Sequence, residues 1–198
     1  MIKKSNNQIN ISLLCVTLNR AKKLNRMLSV VSPYVGECII IDGGSVDQTK
    51  EICDFHNAKM YTKKWENDCA KQRKYGLSKC TKHWRLILDD DEYPDIELME
   101  KLIQISKTRE IKKCYNISRR NYYRFDGLKK RENLFKFPDY QMRFISDGVN
   151  ANNEKVHIGI DTQGCSVALI EPKYGIIHEK TWEDQNKANI LYEKIEKG

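Results

Sequence analysis

The chain has 198 residues, of which 40% are hydrophobic and 31% charged, and its formal net charge is +8. This length is enough to bury a sizeable core, and we predict a single domain over residues 1–198. No apolar run approaches the ~18 to 20 residues of a membrane helix, and the basic amino terminus lacks the long apolar stretch of a signal peptide. The composition therefore excludes membrane-spanning proteins and favours a soluble, globular one.

Seven cysteines are present, and no two of them have the spacing of a CxxC motif. An odd number without such spacing argues against a disulfide framework and against a zinc knuckle. Most of the cysteines lie inside apolar patterns, where cysteine behaves as a small hydrophobic residue. We therefore expect a reducing, cytoplasmic environment.

The first hundred residues alternate between strand and helix patterns. Continuous apolar runs predict buried strands, and apolar residues at helical spacing predict amphipathic helices. Ser45 stands three residues before Gln48, a capping-box pattern that predicts the start of the second helix. The predicted strands are residues 9–18, 37–42, 58–62 and 84–89, and the predicted helices are 19–31, 46–55, 67–80 and 95–106. This order predicts a mainly parallel sheet with helices on both faces.

The second half is richer in strand patterns. Asp126-Gly127 lies between two strand-like runs and predicts a hairpin. Further strands are predicted at residues 141–145, 155–160, 166–170 and 174–178, and a last helix at 182–197. The fold class predicted is α/β, Rossmann-like, with a smaller β-rich region in the second half.

Three polar motifs follow predicted parallel strands. They are "TLNR" at residues 17–20, "IDGGS" at 41–45 and "DDDE" at 89–92. In a doubly wound sheet, ligands bind outside the carboxyl ends of the strands. The convergence of three such motifs on one edge predicts a binding site there.

The "DGGS" motif combines an acid, two glycines and a predicted helix start. Gly43 and Gly44 allow a close approach to the backbone, and the amino terminus of a helix suits a phosphate. An ordinary turn before a capped helix has the same residues, so this alternative stays open. Asp42 favours a ligand, because a carboxylate at this point can accept hydrogen bonds from a sugar or a base.

The "DDDE" motif places four acids directly behind an apolar strand. Mg²⁺ and Mn²⁺ prefer oxygen ligands, usually one or two carboxylates with phosphate oxygens and water. Alternate side chains of an extended segment share a side, so Asp89 and Asp91 can face the same ion or ligand. The alternative is an exposed acidic turn before a helix capped by Asp95. The position behind a buried strand favours the metal site.

These motifs, in their order and spacing, resemble the nucleotide-sugar half of glycosyltransferase family 2 enzymes with the GT-A fold. The resemblance covers about residues 9–105, and residues 106–198 would form the acceptor side. The later segments "FPDYQMRFI" and "IIHEKTW" are similar to small bacterial lipopolysaccharide core glucosyltransferases. The resemblance implies an inverting, metal-dependent transferase of bacterial surface polysaccharide or lipopolysaccharide synthesis. It would move a sugar from a nucleotide-diphosphate sugar to a glycan or glycolipid hydroxyl.

The resemblance also implies two sets of binding residues. In the first set, Asp42 would contact the base and Arg73 the base or diphosphate, while Asp89 would contact ribose or metal-bound water. The residues implied to bind the nucleotide sugar are Thr17, Asn19, Arg20, Asp42, Gly43, Gly44, Arg73, Asp89 and Asp90. The second set would hold Mg²⁺ or Mn²⁺ and comprises Asp91, Asp89 and His178. A lone histidine on an apolar strand is also a common structural residue.

The chain departs from the family pattern at two places. Gly43-Gly44 replaces the Asp-Gly of many relatives, and Val156-His157-Ile158 replaces a Val-His-Glu motif. A general base must take the proton of the acceptor hydroxyl. The candidates, in order of preference, are Asp139, Glu154 and His157. The missing glutamate keeps open the alternative of an inactive transferase.

A basic segment marks the centre of the chain. Between residues 101 and 143, thirteen lysines and arginines stand against four acids. A solvated face and a surface for an anionic partner both fit this charge. The resemblance implies acceptors that are often anionic glycolipids at the inner face of the cell membrane. A basic patch would be attracted to their acidic headgroups, with a binding free energy of ~1 kcal/mol per basic residue near the surface. The residues of this predicted patch are Arg119, Arg120, Tyr122, Tyr123, Arg124, Lys129, Lys130 and Arg131.

Two other function classes compete with glycosyl transfer. A nucleotidyltransferase shares the architecture, but it usually has a glycine-rich basic loop after the first strand, and "TLNRAKKLN" contains no glycine. A single-stranded nucleic-acid binder would explain the basic aromatic segment. Nucleic-acid binding would give the four acids at residues 89–92 no role, because carboxylates repel phosphates unless a metal ion lies between them. We therefore expect no nucleic-acid partner.

Overall fold

The computed structural model describes residues 9–125, 129–132, 137–152 and 160–181, together with residues 183, 184, 186, 187, 189 and 190. Four α-helices are described over their whole length: α1 (Ala21–Val31), α2 (Thr49–Phe55), α3 (Cys69–Leu77) and α4 (Ile96–Ile105). The strands of the first half are β1 (Ile11–Thr17), β2 (Glu37–Asp42), β3 (Lys59–Thr62), β4 (Trp84–Asp89) and β5 (Glu92–Pro94). Those of the second half are β6 (Lys113–Phe125), β7 (Lys129–Glu132), β8 (Asp139–Ser146), β9 (Asn150–Ala151), β10 (Ile160–Asp161), β11 (Ser166–Leu169) and β12 (Gly175–Thr181).

One ten-stranded sheet joins the two halves, in the order β3-β2-β1-β4-β8-β6-β12-β5, with β7 and β11 both paired to β6. The strands β3, β2, β1 and β4 are parallel, as the alternation of strands and helices predicts. From β4 onward the sheet becomes mixed, because β8 runs antiparallel to both β4 and β6. The second half therefore extends the first sheet past β4, and the α/β prediction with a β-rich second half is confirmed.

Helices cover both faces of the parallel part of the sheet. Side chains alternate along β1, so Leu13 contributes to one apolar cluster and Leu14 to the other. The first cluster includes buried residues of α1, α2 and α4, such as Met27 and Met99. The second cluster receives α3, whose Gly76 packs against Leu14 and Ile41. The sheet is therefore the middle layer, and its carboxyl edge lies between the two helix layers.

Most predicted elements are confirmed, and one helix start is wrong. Helix α2 begins at Thr49, and no side-chain cap is present at Gln48, so the predicted capping box does not form. The carboxylate of Asp47 accepts the hydrogen bond from the Thr49 backbone N–H instead, at 3.1 Å. The described residues between 183 and 190 are helical, as predicted. Most of the predicted strand at 155–160 lies outside the described residues.

The predicted hairpin is supported on both sides of its turn. Strands β6 and β7 pair antiparallel, with Phe125 opposite Lys129, while residues 126–128 lie outside the described part of the chain. Among the described residues, no helix has the length and apolar character needed to cross a membrane.

Gly76 allows α3 to lie close to the sheet, and we predict that Gly76→Ala destabilises the protein. An added Cβ would collide with Leu14 and lie 2.9 Å from Cγ1 of Ile41. Overpacking of this kind costs ~1–3 kcal/mol, which outweighs the ~1 kcal/mol that alanine gains in a helix. Urea unfolding measures the loss. Gly43→Ala is the control, because its Cβ would meet its nearest neighbours at an ordinary 3.4 Å. An equal effect of the two changes would contradict the packing argument.

Candidate functional site

The three polar motifs meet at one edge of the sheet. Strand register places Thr17, at the end of β1, beside Asp42, at the end of β2. The neighbouring Val16 lies beside Asp89, at the end of β4. The predicted convergence of the motifs is therefore present in the fold, and it follows from the parallel order β2-β1-β4.

The loops after β1 and β2 are joined by hydrogen bonds. The backbone N–H of Asn19 donates to Oγ of Ser45 at 2.7 Å, and the backbone N–H of Val46 donates to Oδ1 of Asn19 at 2.8 Å. Asn19 has a positive φ of 53°, a conformation that asparagine tolerates better than most residues. These contacts fix the two loops as one unit beside the acids.

Asp42 is buried and organises the glycine turn that follows it. Its Oδ2 accepts hydrogen bonds from the backbone N–H groups of Gly44 and Ser45, both at 3.0 Å. Gly44 has a φ of +107°, which side-chain-bearing residues rarely adopt, and an added Cβ there would meet open space. Gly44 is therefore required by its backbone conformation, and it leaves room at the rim for a ligand.

Asp90 is held by two residues of the "TLNR" motif. Its Oδ2 accepts a hydrogen bond from the Thr17 hydroxyl at 2.8 Å, and its Oδ1 accepts one from Nη1 of Arg20 at 2.9 Å. Burial raises the pKa of Asp90 to about 6, because Arg20 only partly offsets desolvation and the charge of Asp91 adds to the rise. Thr17 and Arg20 therefore hold in place the acidic turn, which comprises residues 89–92.

Asp89 lies between two arginines from different elements. Its Oδ1 accepts a hydrogen bond from Arg73 on α3 at 2.7 Å, and its Oδ2 accepts one from Arg143 on β8 at 2.7 Å. Burial alone would raise the pKa of the Asp89 carboxyl, but the charges of Arg143 and Arg73 outweigh burial and hold it well below its usual range. Asp89 is therefore ionised, with both oxygens engaged.

Glu92 is the most buried acid of the motif, with no exposed surface. Its Oε1 accepts hydrogen bonds from Arg143 at 2.7 Å and from Arg119 at 3.1 Å. Its Oε2 accepts the backbone N–H of Asp89 at 3.1 Å, which closes the turn between β4 and β5. Glu92 is therefore a structural residue that joins the acidic turn to β6 and β8.

Asp91 has longer contacts than its three neighbours. Its Oδ2 lies 3.2 Å from Arg20 and 3.7 Å from Lys23, and its Oδ1 lies 3.4 Å from Nε2 of His178 on β12. Burial opposes ionisation, but the hydrogen bond and charge of His178 outweigh it and lower the pKa of Asp91. Asp89 and Asp91 thus have different partners within the protein.

The residues fit a divalent ion that is shared with a phosphate ligand. The described part of the chain contains no group of three or more His, Cys, Asp or Glu side chains placed to hold a metal by themselves. Asp91 supplies one carboxylate and His178 one imidazole, with Oδ1 of Asp91 3.4 Å from Nε2 of His178. Mg²⁺ and Mn²⁺ are commonly held by one or two protein ligands together with phosphate oxygens and water. The oxygens of Asp89 are already occupied by arginines, which makes it the weaker candidate ligand.

Asp139, the first candidate base, lies at the start of β8 and is buried. Its carboxylate accepts hydrogen bonds from Arg119, Asn121 and Gln141, at 2.8–3.0 Å. Burial alone would raise the pKa of Asp139, but the hydrogen bond from Asn121 and the charge of Arg119 lower it. The other two candidates, Glu154 and His157, lie outside the described residues.

Two arginines of the predicted basic patch have partners within the protein. Arg119 contacts Glu92 and Asp139, while Arg120 contacts Asp95 and the carbonyls of residues 172 and 173. These side chains stabilise the junction of β5, β6 and β12. Their contribution to a surface patch is therefore smaller than the sequence predicts.

Sequence reasoning did not place four residues at this site, and it assigned one of them, Arg119, only to the basic patch. Arg119, Asn121 and Arg143 come from the second half, and Lys23 from α1. A signal was present for Arg143, because a charged residue between Met142 and Phe144 is unusual in a strand that borders the core. Its partners Asp89 and Glu92, however, lie 54 and 51 residues away along the chain.

A separate groove of about 1510 Å³ lies at the amino ends of β1, β2 and β4. Tyr34, Phe55 and Ile103 are among its lining residues. None of the predicted site residues that the structure describes lines this groove, which lies at the edge of the sheet opposite the acids. The groove and the acidic turn are therefore separate in space.

Comparison with known proteins identifies relatives of this chain. It is 27% identical to the SPbeta prophage-derived glycosyltransferase SunS of Bacillus subtilis over 97 residues, which are 48% of this chain and 23% of SunS. It is 32% identical to an uncharacterized glycosyltransferase of Rickettsia felis over 92 residues, which are 46% of this chain and 32% of that relative. The chain thus spans at most about a third of the curated relatives it matches here.

Solved structures share the fold. The structure of S. aureus TarS superposes with a TM-score of 0.56 at 15% identity, over 94% of this chain and 39% of TarS. The structure of TarS 1-349 in complex with UDP-GlcNAc gives a TM-score of 0.55 at 13% identity, over 86% of this chain and 58% of that one. This likeness confirms the predicted GT-A fold.

The family model of glycosyl transferase family 2 matches residues 12–167. The matched region includes β2 to β8 and β1 from Ser12 onward, so it covers the three polar motifs and Asp139, while His178 on β12 lies beyond it. Similarity to lipopolysaccharide core enzymes in particular stays a prediction. A match over more than half of the chain shows that this protein belongs to glycosyl transferase family 2.

Proposed function

We propose that this chain is an inverting, metal-dependent glycosyltransferase that uses a nucleotide-diphosphate sugar as donor. The observation that carries the proposal is the pair formed by Asp91 and His178 at the carboxyl edge of the sheet. The side-chain oxygens of Asp91 lie 3.2 Å or more from their partners Arg20 and His178. The other acids of the turn are engaged at 2.7–2.9 Å by Thr17 and arginines. Asp91 is therefore the acid that is best placed to exchange its partners for a ligand.

The donor nucleotide would lie against the loops after β1 and β2. Oδ1 of Asp42 accepts only a long hydrogen bond, from Ser45 at 3.2 Å, so it can accept another from the base. Gly43 and Gly44 leave the backbone open to close approach. Arg73 already lies against Asp89, and it can turn toward a diphosphate without leaving this edge of the sheet.

Asp91 and His178 would hold Mg²⁺ or Mn²⁺, with donor phosphate oxygens completing the site. When bound, the ion neutralises the charge that builds on the departing nucleoside diphosphate. Arg20 and Lys23 flank Asp91 and are the nearest cations for the same diphosphate. Arg20 would give up its longer contact with Asp91 and keep its contact with Asp90.

The reaction is a single displacement at the anomeric carbon. The acceptor hydroxyl oxygen forms a bond to this carbon as the bond to the diphosphate oxygen breaks, and the hydroxyl proton passes to a base. Asp139 accepts hydrogen bonds from three residues and its pKa is lowered, which makes it a weak proton acceptor. We therefore favour Glu154 or His157 as the base.

The acceptor would be a glycan or glycolipid hydroxyl in bacterial surface polysaccharide or lipopolysaccharide synthesis. The family and the basic segment at residues 101–143 support this choice. With Arg119 and Arg120 engaged inside the protein, contact with an anionic membrane would depend on the remaining basic residues of the segment. Equal binding to neutral and anionic vesicles would remove the membrane part of the proposal.

A thermal-shift panel of nucleoside diphosphates and nucleotide sugars, with Mn²⁺ and with EDTA, tests the proposal. At 100 times its Kd, a donor adds about 2.7 kcal/mol to stability, and each kcal/mol raises Tm by ~2–4 °C in a chain of this size. We expect one nucleotide to give such a shift with Mn²⁺ and a smaller one with EDTA. Failure of every donor to shift Tm would contradict the proposal.

The released product separates the two transferase classes. Glycosyl transfer releases a nucleoside diphosphate, whereas nucleotidyl transfer onto a sugar phosphate releases pyrophosphate. Incubation with the donor that the thermal-shift panel identifies, followed by analysis of the released product, distinguishes the two reactions. The absence of a glycine-rich loop after β1 favours the diphosphate.

A further inference from the structure

We infer that Asn121 is a positioning residue that fixes the proton of His178 on Nδ1 and thereby turns the lone pair of Nε2 toward Asp91. The inference rests on the proposed function, in which His178 and Asp91 hold the metal ion. It adds a residue from β6 that no sequence motif indicates. It also gives Asp139 a role that does not require proton transfer.

Strand pairing brings the two side chains together. Strands β6 and β12 are parallel neighbours, and Asn121 stands opposite His178 in their register. Residues at paired positions project from the same face of a sheet. Both are at most 6% exposed, so water does not compete for their hydrogen bonds.

The orientation of the Asn121 amide is determined by Asp139. Nδ2 of Asn121 donates to Oδ2 of Asp139 at 3.0 Å. The reversed amide would place its oxygen against a carboxylate oxygen that is already paired with the Arg119 guanidinium at 2.9 Å and is therefore an acceptor. Two acceptors in contact repel each other, so the amide oxygen must point away from Asp139 and toward His178.

The amide oxygen in turn determines the tautomer of His178. Nδ1 of the ring lies 2.6 Å from Oδ1 of Asn121, an oxygen that can only accept. Nδ1 therefore carries a proton, so that Nε2 carries a lone pair whenever the ring has a single proton. This lone pair faces Oδ1 of Asp91 at 3.4 Å. Without a metal ion, a second proton on Nε2 supplies the hydrogen bond and the charge that lower the pKa of Asp91, and a divalent ion can take the place of this proton.

This arrangement matches the general rule that a metal-binding histidine donates its second N–H to a fixed acceptor. The acceptor here is an amide oxygen, held in turn by a carboxylate and by Arg119 behind it. The chain Asp139–Asn121–His178–Asp91 joins β8, β6, β12 and the acidic turn. It accounts for a buried, ionised Asp139 at the edge of the site.

The direct test is nitrogen NMR of the histidine rings. The chain has four histidines, so the His178 signals are assigned from their loss in His178→Gln. We expect Nδ1 of His178 to be protonated in the wild-type protein, with Nε2 unprotonated at alkaline pH or with Mg²⁺ and UDP bound. In Asn121→Ala, the proton should redistribute to Nε2, where it can donate to Asp91. A wild-type ring protonated only on Nε2 would overturn the inference, whether or not the variant folds.

Metal affinity gives a second readout. Titration of Mn²⁺ with UDP present, followed by electron paramagnetic resonance, should show a ~10- to 100-fold weaker Kd for Asn121→Ala, the usual cost of losing such a partner. Gln141→Ala is the matched control, because Gln141 also donates to Asp139, at 2.8 Å. We expect its Kd and its His178 tautomer to match those of the wild type.

The proposed metal-dependent function and the positioning role of Asn121 can be disproved separately. If the wild-type protein binds no Mn²⁺ with UDP, the proposed function is wrong, and the tautomer measurement still judges Asn121. If the wild type binds Mn²⁺ and Asn121→Ala binds it equally well, Asn121 does not position a metal ligand and the inference is wrong. Equal weakening by Asn121→Ala and Gln141→Ala would also overturn it, since it would point to general disturbance around Asp139.

Discussion

Asp91→Asn should reduce sugar transfer by on the order of 10²- to 10³-fold, the loss expected when one group that stabilises developing charge is removed. Asparagine keeps the shape of the side chain but loses the charge that holds a divalent ion. The measurement is the rate of nucleoside diphosphate release with a saturating donor and Mn²⁺. The fold should survive, because Asp91 has no contact shorter than 3.2 Å.

The stability of this variant separates a catalytic loss from unfolding. Asp91→Asn relieves the repulsion that raises the pKa of Asp90, but it also loses the charge interactions that lower the pKa of Asp91, so we expect a moderate loss of free energy of unfolding with the protein still folded at assay temperature. Asp54→Asn is the matched control, since it removes the same charge from an exposed pair with Lys50. Equal rates for Asp91→Asn and the control would exclude a role for Asp91 in transfer.

Arg143→Met should destabilise the protein by ~3–5 kcal/mol, the range for breaking a buried ion pair by removing one partner. Arg143 is 4% exposed and contacts both Asp89 and Glu92 at 2.7 Å. Methionine fills much of the volume but leaves these carboxylates without their common cation. Arg119 still reaches Glu92, so the loss should fall toward the lower end of the range.

Chemical denaturation measures this loss against a matched control. Lys50→Met removes a cation from an exposed pair that solvent screens, so its effect on the free energy of unfolding should be small. The double change Arg143→Met with Glu92→Leu should recover part of the stability, because the buried carboxylate is removed with its partner. If Arg143→Met were no more destabilising than Lys50→Met, the contacts of Arg143 with Asp89 and Glu92 would not stabilise the acidic turn.

The parallel half of the fold was predictable because its signals are local. The apolar runs of β1, β2 and β4 and the helical spacing of α1 and α4 each fall within about a dozen residues. Once these strands are parallel, the meeting of residues 17–20, 41–45 and 89–92 at one edge follows from topology alone. The start of α2 was not predictable in the same way, because Ser45 bonds to Asn19 in another loop instead of capping the helix.

The partners of the acids could not be read from the sequence. Four adjacent acids suggest a cation, and most of the cations prove to be arginines from the position just before α1 and from α3, β6 and β8. These pairs join residues up to 70 positions apart, and no local pattern specifies them. Of the three predicted metal ligands, Asp91, Asp89 and His178, the contacts favour Asp91 and His178, and the set stays a prediction.

A crystal of this chain grown with UDP and Mn²⁺ tests the central claim most directly, because anomalous scattering locates manganese without reference to the protein. We predict one strong anomalous peak in contact with the Asp91 carboxylate, Nε2 of His178 and the diphosphate. UDP bound with no manganese at Asp91, or manganese bound elsewhere on the chain, would contradict the account.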